Sequence, residues 1–192
     1  MIIYIHGFKS AGGGRKAEQL AELFPEETVL SPTLPVSPAA AIGLLNSIIE
    51  PGTTVVGTSL GGFYSAYLYA TNPKVPRALI INPVVDPAVK MACHLGEQTN
   101  YKTGERFTWT DKHLGELRAL SEFMQAADRS WDSATFVVGA RDPLTDPALV
   151  RGWYGCQGTQ LYDDDHRFGT CFSQAASDHL FTPSEGAMVS PS

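Results

Sequence analysis

At 192 residues, with 43% hydrophobic and 18% charged side chains, the chain is long enough for one hydrophobic core of ordinary size and too short for two comfortable ones. Its formal charge of −6 offers no basic surface to nucleic acid and disfavours anionic partners at long range. No run approaches the roughly 20 apolar residues of a membrane span, no basic leader region opens the chain, and Cys93, Cys156 and Cys171 form no C-x-x-C pair, so the reading is a cytoplasmic chain with reduced thiols, a Cys156 to Cys171 bridge being the alternative.

Short β-branched runs alternate with longer helical patterns. Strand "IIYI" (2–5) precedes a helix near 14–24, "TVL" (28–30) a helix near 38–49, and "TTVVG" (53–57) a helix from about 60. "ALIIN" (78–82), "TFVVG" (135–139) and "TQLYD" (159–163) supply three further strands. This rhythm predicts an α/β fold with a mostly parallel sheet of about six strands covered by helices on both faces. Between 84 and 131 the rhythm breaks: "TNYKTGERFTW" reads as a hairpin around Thr103-Gly104 and "KHLGELRALSEFMQAA" as an amphipathic helix, together a small inserted cap over the strand ends. A short helix is expected after Phe172, the domain is expected to span 1–182, and 183–192 has the composition of a flexible tail.

Gly57-Thr58-Ser59-Leu60-Gly61 matches G-x-S-x-G between a strand and a helix, the turn that lifts a serine hydroxyl out of a strand end. Its glycines stand where side chains would collide in so sharp a turn. A glycine-rich turn with an incidental serine is the plain alternative, and the flanking strand and helix speak against it. A serine hydroxyl needs a base, and the base an orienting acid. His166 stands in a loop after the last predicted strand, whereas His6 comes too early, His94 and His113 fall in the insertion, and His179 lies in a helical pattern. Asp142 leaves the carboxyl end of "TFVVG"; Asp146 is the second candidate, although "TDPALV" reads as a capped helix start. Ser59, Asp142 and His166 would then meet at one edge of the sheet, where open α/β folds bind ligands.

In "YIHGFKS", "GTSLGGFYSAYL", "INPVVDP", "YKTGERF" and "DDDHRF" the chain resembles a small α/β-hydrolase, and more closely the YqiA-like esterases, from its first residue to about Phe172. The resemblance implies Ser59 as nucleophile, Asp142 as acid and His166 as base. It also implies small-molecule carboxylic ester or thioester substrates with short to medium acyl chains, and no cofactor. It departs at Asp163-Asp164, where a glycine pair is expected before the histidine loop. There the run Asp163, Asp164, Asp165 brings three carboxylates up to the base, and strand alternation decides which of them face it.

An oxyanion needs preorganised donors. Leu60, the residue after the nucleophile, offers one backbone N–H, and the resemblance of "HGFKS" to the family's His-Gly-x segment implies Phe8 for the other, with His6 shaping the loop. Tyr101, Phe107 and Trp109 alternate along the predicted hairpin and either pack the insertion onto the body or face substrate. Phe63 and Tyr67 share a helix face as core or pocket floor. "AGGGRKA" (11–17) lacks the ending and spacing of a phosphate loop, and His94, Asp111, Lys112 and His113 lack ligand spacing, so no metal is expected. The reading is a serine esterase working through an acyl-enzyme. An acyl-CoA or related thioesterase with the same residues is the alternative, and a catalytically silent hydrolase-fold binding module the alternative of another class.

Overall fold

The computed structural model describes residues 1–180, so the tail expected at 183–192 lies outside the described residues. In chain order the elements are β1 (Ile2–Ile5), α1 (Arg15–Leu23), β2 (Val29–Leu30), α2 (Pro38–Ile48), β3 (Thr54–Thr58), α3 (Leu60–Thr71) and β4 (Arg77–Ile81). A short α4 (Pro87–Lys90) and a 3-10 turn (Met91–His94) follow, then β5 (Gly96–Thr99), β6 (Arg106–Trp109) and α5 (Asp111–Gln125). The chain closes with β7 (Ala134–Gly139), α6 (Pro147–Tyr154), β8 (Gln160–Tyr162) and α7 (Phe172–Leu180).

Six strands form one sheet in the order β2-β1-β3-β4-β7-β8, and every pairing in it is parallel. The period-2 alternation of each strand divides its apolar residues between two cores. Ile3, Ile5, Val55, Ile80, Phe136 and Val138 pack with α2, α3 and α5, whereas Ile2, Tyr4, Val56, Leu79, Ile81 and Val137 pack with α1 and α7. Phe63 and Tyr67 lie in the first of these cores. Burial on both faces is why the strand runs read as continuous apolar segments.

Local chemistry sets the helix starts. Ser37 caps α2 by accepting from the Ala40 N–H at 3.2 Å, with Pro38 at the first helical position. Asp146 caps α6 in the same way, accepting from Ala148 at 2.7 Å, which gives its carboxylate a structural use. Thr110 and His113 form a reciprocal capping box on α5, the Thr110 N–H donating to His113 Nδ1 at 3.0 Å. The inserted β5 and β6 pair as the expected antiparallel hairpin, with Gly104 at φ 76° and Asn100 Oδ1 accepting from the N–H groups of Lys102 and Thr103. Cys93, Cys156 and Cys171 are all free thiols, so the alternative of a Cys156 to Cys171 bridge is not realised. Among the described residues no helix is long and apolar enough to cross a membrane.

Two glycines separate close approach from mere flexibility. A Cβ on Gly57 would overlap the Gly61 carbonyl and the Ser65 hydroxyl, whereas one on exposed Gly43 in α2 meets open space. Gly57→Ala is expected to destabilise by at least about 2 kcal/mol and Gly43→Ala to stabilise by about 0.5–1 kcal/mol, read from urea midpoints. Equal midpoints for the two variants would contradict this packing.

Candidate active site

Ser59 sits between β3 and α3 at φ 57° and ψ −121°, a conformation that a residue with a side chain holds only under local constraint. The constraint is visible. The Ser59 N–H donates to Ile81 O at 3.0 Å, and Ser59 O accepts from Phe63 and Val84 at 3.2 and 3.3 Å. A Cβ on Gly61 would overlap the carbonyls of Ile5 and His6, so the first turn of α3 lies directly against the end of β1. The elbow therefore presents the Ser59 hydroxyl beyond the carboxyl ends of the strands.

Asp142 and His166 leave the ends of β7 and β8 toward the same point. His166 Nε2 lies 3.1 Å from Ser59 Oγ, and its Nδ1 lies 2.8 Å from Asp142 Oδ2. The Asp142 side chain has no exposed surface, and its other oxygen accepts from the Leu144 N–H at 2.7 Å. Burial pushes this carboxyl up, but hydrogen bonds from His166, the Leu144 N–H and Thr145 outweigh it and hold the group below the usual carboxylate range. An ionised Asp142 accepts the Nδ1 proton of a neutral imidazole, which leaves Nε2 as the acceptor facing the serine hydroxyl.

The two oxyanion candidates, Phe8 and Leu60, lie in the loop after β1 and at the start of α3. Leu60 opens α3, where first-turn N–H groups have no partner within the helix. Phe8 follows Gly7, where a Cβ would come within 3.3 Å of the Ser59 Cβ. His6 holds that loop. Its Nδ1 pairs with Gly7 O at 2.9 Å and its Nε2 accepts from the Leu34 N–H at 3.2 Å, which fixes a neutral tautomer with the proton on Nδ1. Burial pushes its pKa down, in keeping with that form.

A cavity of about 850 Å³ opens over Ser59 and His166. The three hairpin aromatics are placed differently with respect to it. Tyr101 lines the cavity and is 73% exposed. Trp109 is 1% exposed and stacks on His113, with the Phe8 ring 4.9 Å away, and Phe107 meets Phe8 edge-on at 5.8 Å; neither lines the cavity. Phe107 and Trp109 thus brace Phe8 from behind. His94 packs on the same Phe8 ring at 5.1 Å, and His113 is taken by its cap. Among the described residues no group of three or more His, Cys, Asp or Glu side chains is placed to hold a metal ion.

The three carboxylates of the acidic run before the base take partners other than the imidazole. Asp163 points out to Arg141, with Oδ1 3.3 Å from Nε. Asp164 turns inward, 3% exposed, and its carboxylate accepts from the N–H groups of Asp165, Thr170 and Cys171 at 2.8, 2.8 and 2.6 Å. Burial raises its pKa, but these backbone bonds win and hold it low. Asp165 accepts from the Arg167 N–H at 2.8 Å. Side-chain oxygens here do the loop-shaping work expected of a glycine pair.

Asn82 is the positioning residue that sequence reasoning missed. Fully buried at φ 44°, it donates from Nδ2 to the carbonyls of Asp165 and His166 at 3.0 and 3.1 Å, and its Oδ1 accepts from Gly139 at 2.8 Å. One side chain thereby ties the loop carrying His166 to the end of the strand leading to Asp142. The signal lay in "ALIINP": an asparagine closing an otherwise apolar strand must find partners when buried.

The family model for an uncharacterised protein family, UPF0227, matches residues 1–169. Among solved structures the chain is similar to alpha/beta hydrolase domain-containing protein 10 from mouse, at 17% identity and TM-score 0.66, covering 93% of this chain and 88% of that one. Est1E from Butyrivibrio proteoclasticus superposes with TM-score 0.68 at 12% identity, covering 93% of this chain and 86% of that one. Paleococcus ferrophilus monoacylglycerol lipase does so with TM-score 0.66 at 15% identity, covering 93% of each chain. At such identities the likeness establishes the fold, which is that of the α/β-hydrolases.

Trp109→Ala is expected to cost about 3–5 kcal/mol of stability and Tyr101→Ala less than about 0.5 kcal/mol, by denaturant titration; the reverse order would contradict the bracing role. Asp164→Asn is expected to cost about 2 kcal/mol at pH 7. Because the folded Asp164 pKa lies below its unfolded value, that contribution is complete above about pH 4 and is lost as pH falls through the folded value. The gap between wild type and variant should therefore hold from about pH 5 to 8 and close in acid; a gap that widens in acid would refute the assignment.

Proposed function

The chain belongs to UPF0227, and from that premise we propose that it is a serine ester hydrolase that works through an acyl-enzyme. The observation that carries the reading is the unbroken line from Ser59 Oγ through both His166 nitrogens to Asp142, lying at one cavity. The cavity volume suits a small-molecule substrate, and Val84, Val85, Met91 and Leu144 give it apolar lining for an acyl chain.

In this reading Ser59 Oγ attacks the ester carbonyl as His166 Nε2 takes its proton, and ionised Asp142 steadies the imidazolium. The tetrahedral oxyanion accepts from the backbone N–H groups of Phe8 and Leu60, donors fixed before the charge develops. His166 returns the proton to the departing oxygen or sulfur, then activates water against the acyl-enzyme. Oxygen and sulfur leaving groups share this route, so matched esters and thioesters of one acyl chain measure the preference between them.

Ser59→Ala is expected to lower kcat by about 10⁶-fold and Asp142→Asn by about 10⁴-fold, both remaining folded. Asp146→Asn keeps a side-chain oxygen able to cap α6 and is expected to change stability by less than about 0.5 kcal/mol while leaving kcat within about tenfold. Steady-state kinetics that show Asp146→Asn as the more damaging aspartate change would overturn the choice of acid.

A further inference from the structure

The charge of the cavity runs against the charge of the chain. The protein carries 20 acidic and 14 basic residues, yet Lys9, Arg15, Lys16, Lys90, Lys102 and Arg167 all line the cavity above Ser59, and no aspartate or glutamate does. Among the described residues none of these six cations forms an ion pair with a carboxylate. The nearest acids, Asp164 and Asp165, do not line the cavity; Asp164 accepts three backbone N–H groups and Asp165 accepts from Arg167 N, and their charge reaches Lys16 without an ion pair. Six cations lining a cleft with low-dielectric walls, with no carboxylate among the lining, focus a positive field on its contents.

The cations also have a position relative to the chemistry. Lys102 Nζ donates to the carbonyls of Ala11 and Gly12, and the Tyr101 N–H donates to Lys9 O at 3.0 Å, so the hairpin turn is fastened to the loop that carries Lys9. Lys16 Nζ donates to Arg167 O at 2.6 Å, which joins the start of α1 to the residue after His166. Gly13, Gly14 and Arg15, at the N-terminus of α1, line the same cavity and add the weak positive pole of a helix end without a side-chain cap. The basic wall is thus continuous with the histidine loop. In acyl transfer the imidazole delivers its proton to the leaving group, so the leaving group lies on the histidine side and the acyl chain lies away from it.

We propose that this site selects esters or thioesters whose leaving group bears an anionic substituent, a phosphate or a carboxylate, gripped by Lys9, Lys16, Lys102 and Arg167 beside His166. The inference rests on the hydrolase reading and adds to it the charge of the substrate and the end that carries it. It also corrects the view from net charge: at the site itself, anions are attracted.

Four substrates of matched acyl length test the proposal: ethyl butyrate, the butyryl ester of glycolate, the butyryl ester of 2-hydroxyethyl phosphate, and monoethyl succinate, which carries its charge on the acyl side. At low ionic strength kcat/KM for the two anionic-leaving-group esters is expected to exceed that for ethyl butyrate by about tenfold or more, and to fall toward it as salt rises. Monoethyl succinate is expected to show no such advantage. Lys9→Gln, Lys102→Gln and Arg167→Gln should each cut the anionic-to-neutral ratio several-fold. Parity of the esters at low salt, preference for monoethyl succinate, or a ratio untouched in all three variants would overturn the proposal. Calorimetry on Ser59→Ala with 2-hydroxyethyl phosphate and ethylene glycol reads the same charge preference without turnover. Absence of hydrolysis on every ester, with phosphate-selective binding that the added Arg167→Gln change weakens, would refute the hydrolase reading and leave the anion site standing; equal binding of the two alcohols would refute the anion site.

Discussion

The close approach of backbone at the strand-to-helix elbow governs the arrangement of everything around it. Gly57 and Gly61 leave no room for a Cβ, because the first turn of α3 lies against the end of β1 and against its own preceding strand. Ser59 is held at positive φ by bonds to Ile81, Phe63 and Val84. Strain of this kind costs of order 1–3 kcal/mol and persists because the surrounding sheet over-determines it. Central strands buried on both faces supply that rigidity, and the elbow then aims one hydroxyl at a fixed point beyond the sheet.

Two further devices bring partners to that point. The ends of β7 and β8 are stitched together, with Ala140 N donating to Tyr162 O at 2.7 Å and Arg141 N to Asp164 O at 3.0 Å, so the loops bearing Asp142 and His166 move as one piece. Asn82 and Asp164 secure that piece from inside, each through backbone groups that would otherwise be buried without partners. On the other side of the elbow, Phe8 is braced by Phe107 and Trp109, which keeps the His6-Gly7-Phe8 segment near Ser59. Insertion and body are therefore mechanically coupled at the backbone that the proposed mechanism asks to hold an oxyanion.

The parallel sheet, its helices and the elbow were legible in the chain because each is written locally: β-branched runs of strand length, amphipathic spacing, and glycines flanking a serine. Ser59, Asp142 and His166 could be ordered by their exits from β3, β7 and β8, and the structure brings the three within hydrogen-bonding distance. Which way each carboxylate of the acidic run turns was not legible, because sequence order fixes their spacing and not their partners. In a loop packed against Gly139 each carboxylate turns a different way, and the central one satisfies backbone donors. Trp109 and Phe107 could not be told from pocket-lining residues by alternation alone, since both faces of a small hairpin can find an apolar partner. The cationic cavity was invisible because Lys9, Lys16, Lys102 and Arg167 converge from distant parts of the chain, while a net charge sums over the whole surface.

The central claim is that the elbow, histidine and aspartate together make Ser59 singularly nucleophilic. Incubation with a fluorophosphonate, followed by intact-mass and peptide mass spectrometry, reads this directly, because the reagent needs an activated hydroxyl and leaves a stable adduct. The account predicts one adduct per chain, located on Ser59, and its disappearance in folded His166→Ala protein. An unmodified Ser59 in folded wild-type protein, or labelling that persists unchanged without His166, would contradict it.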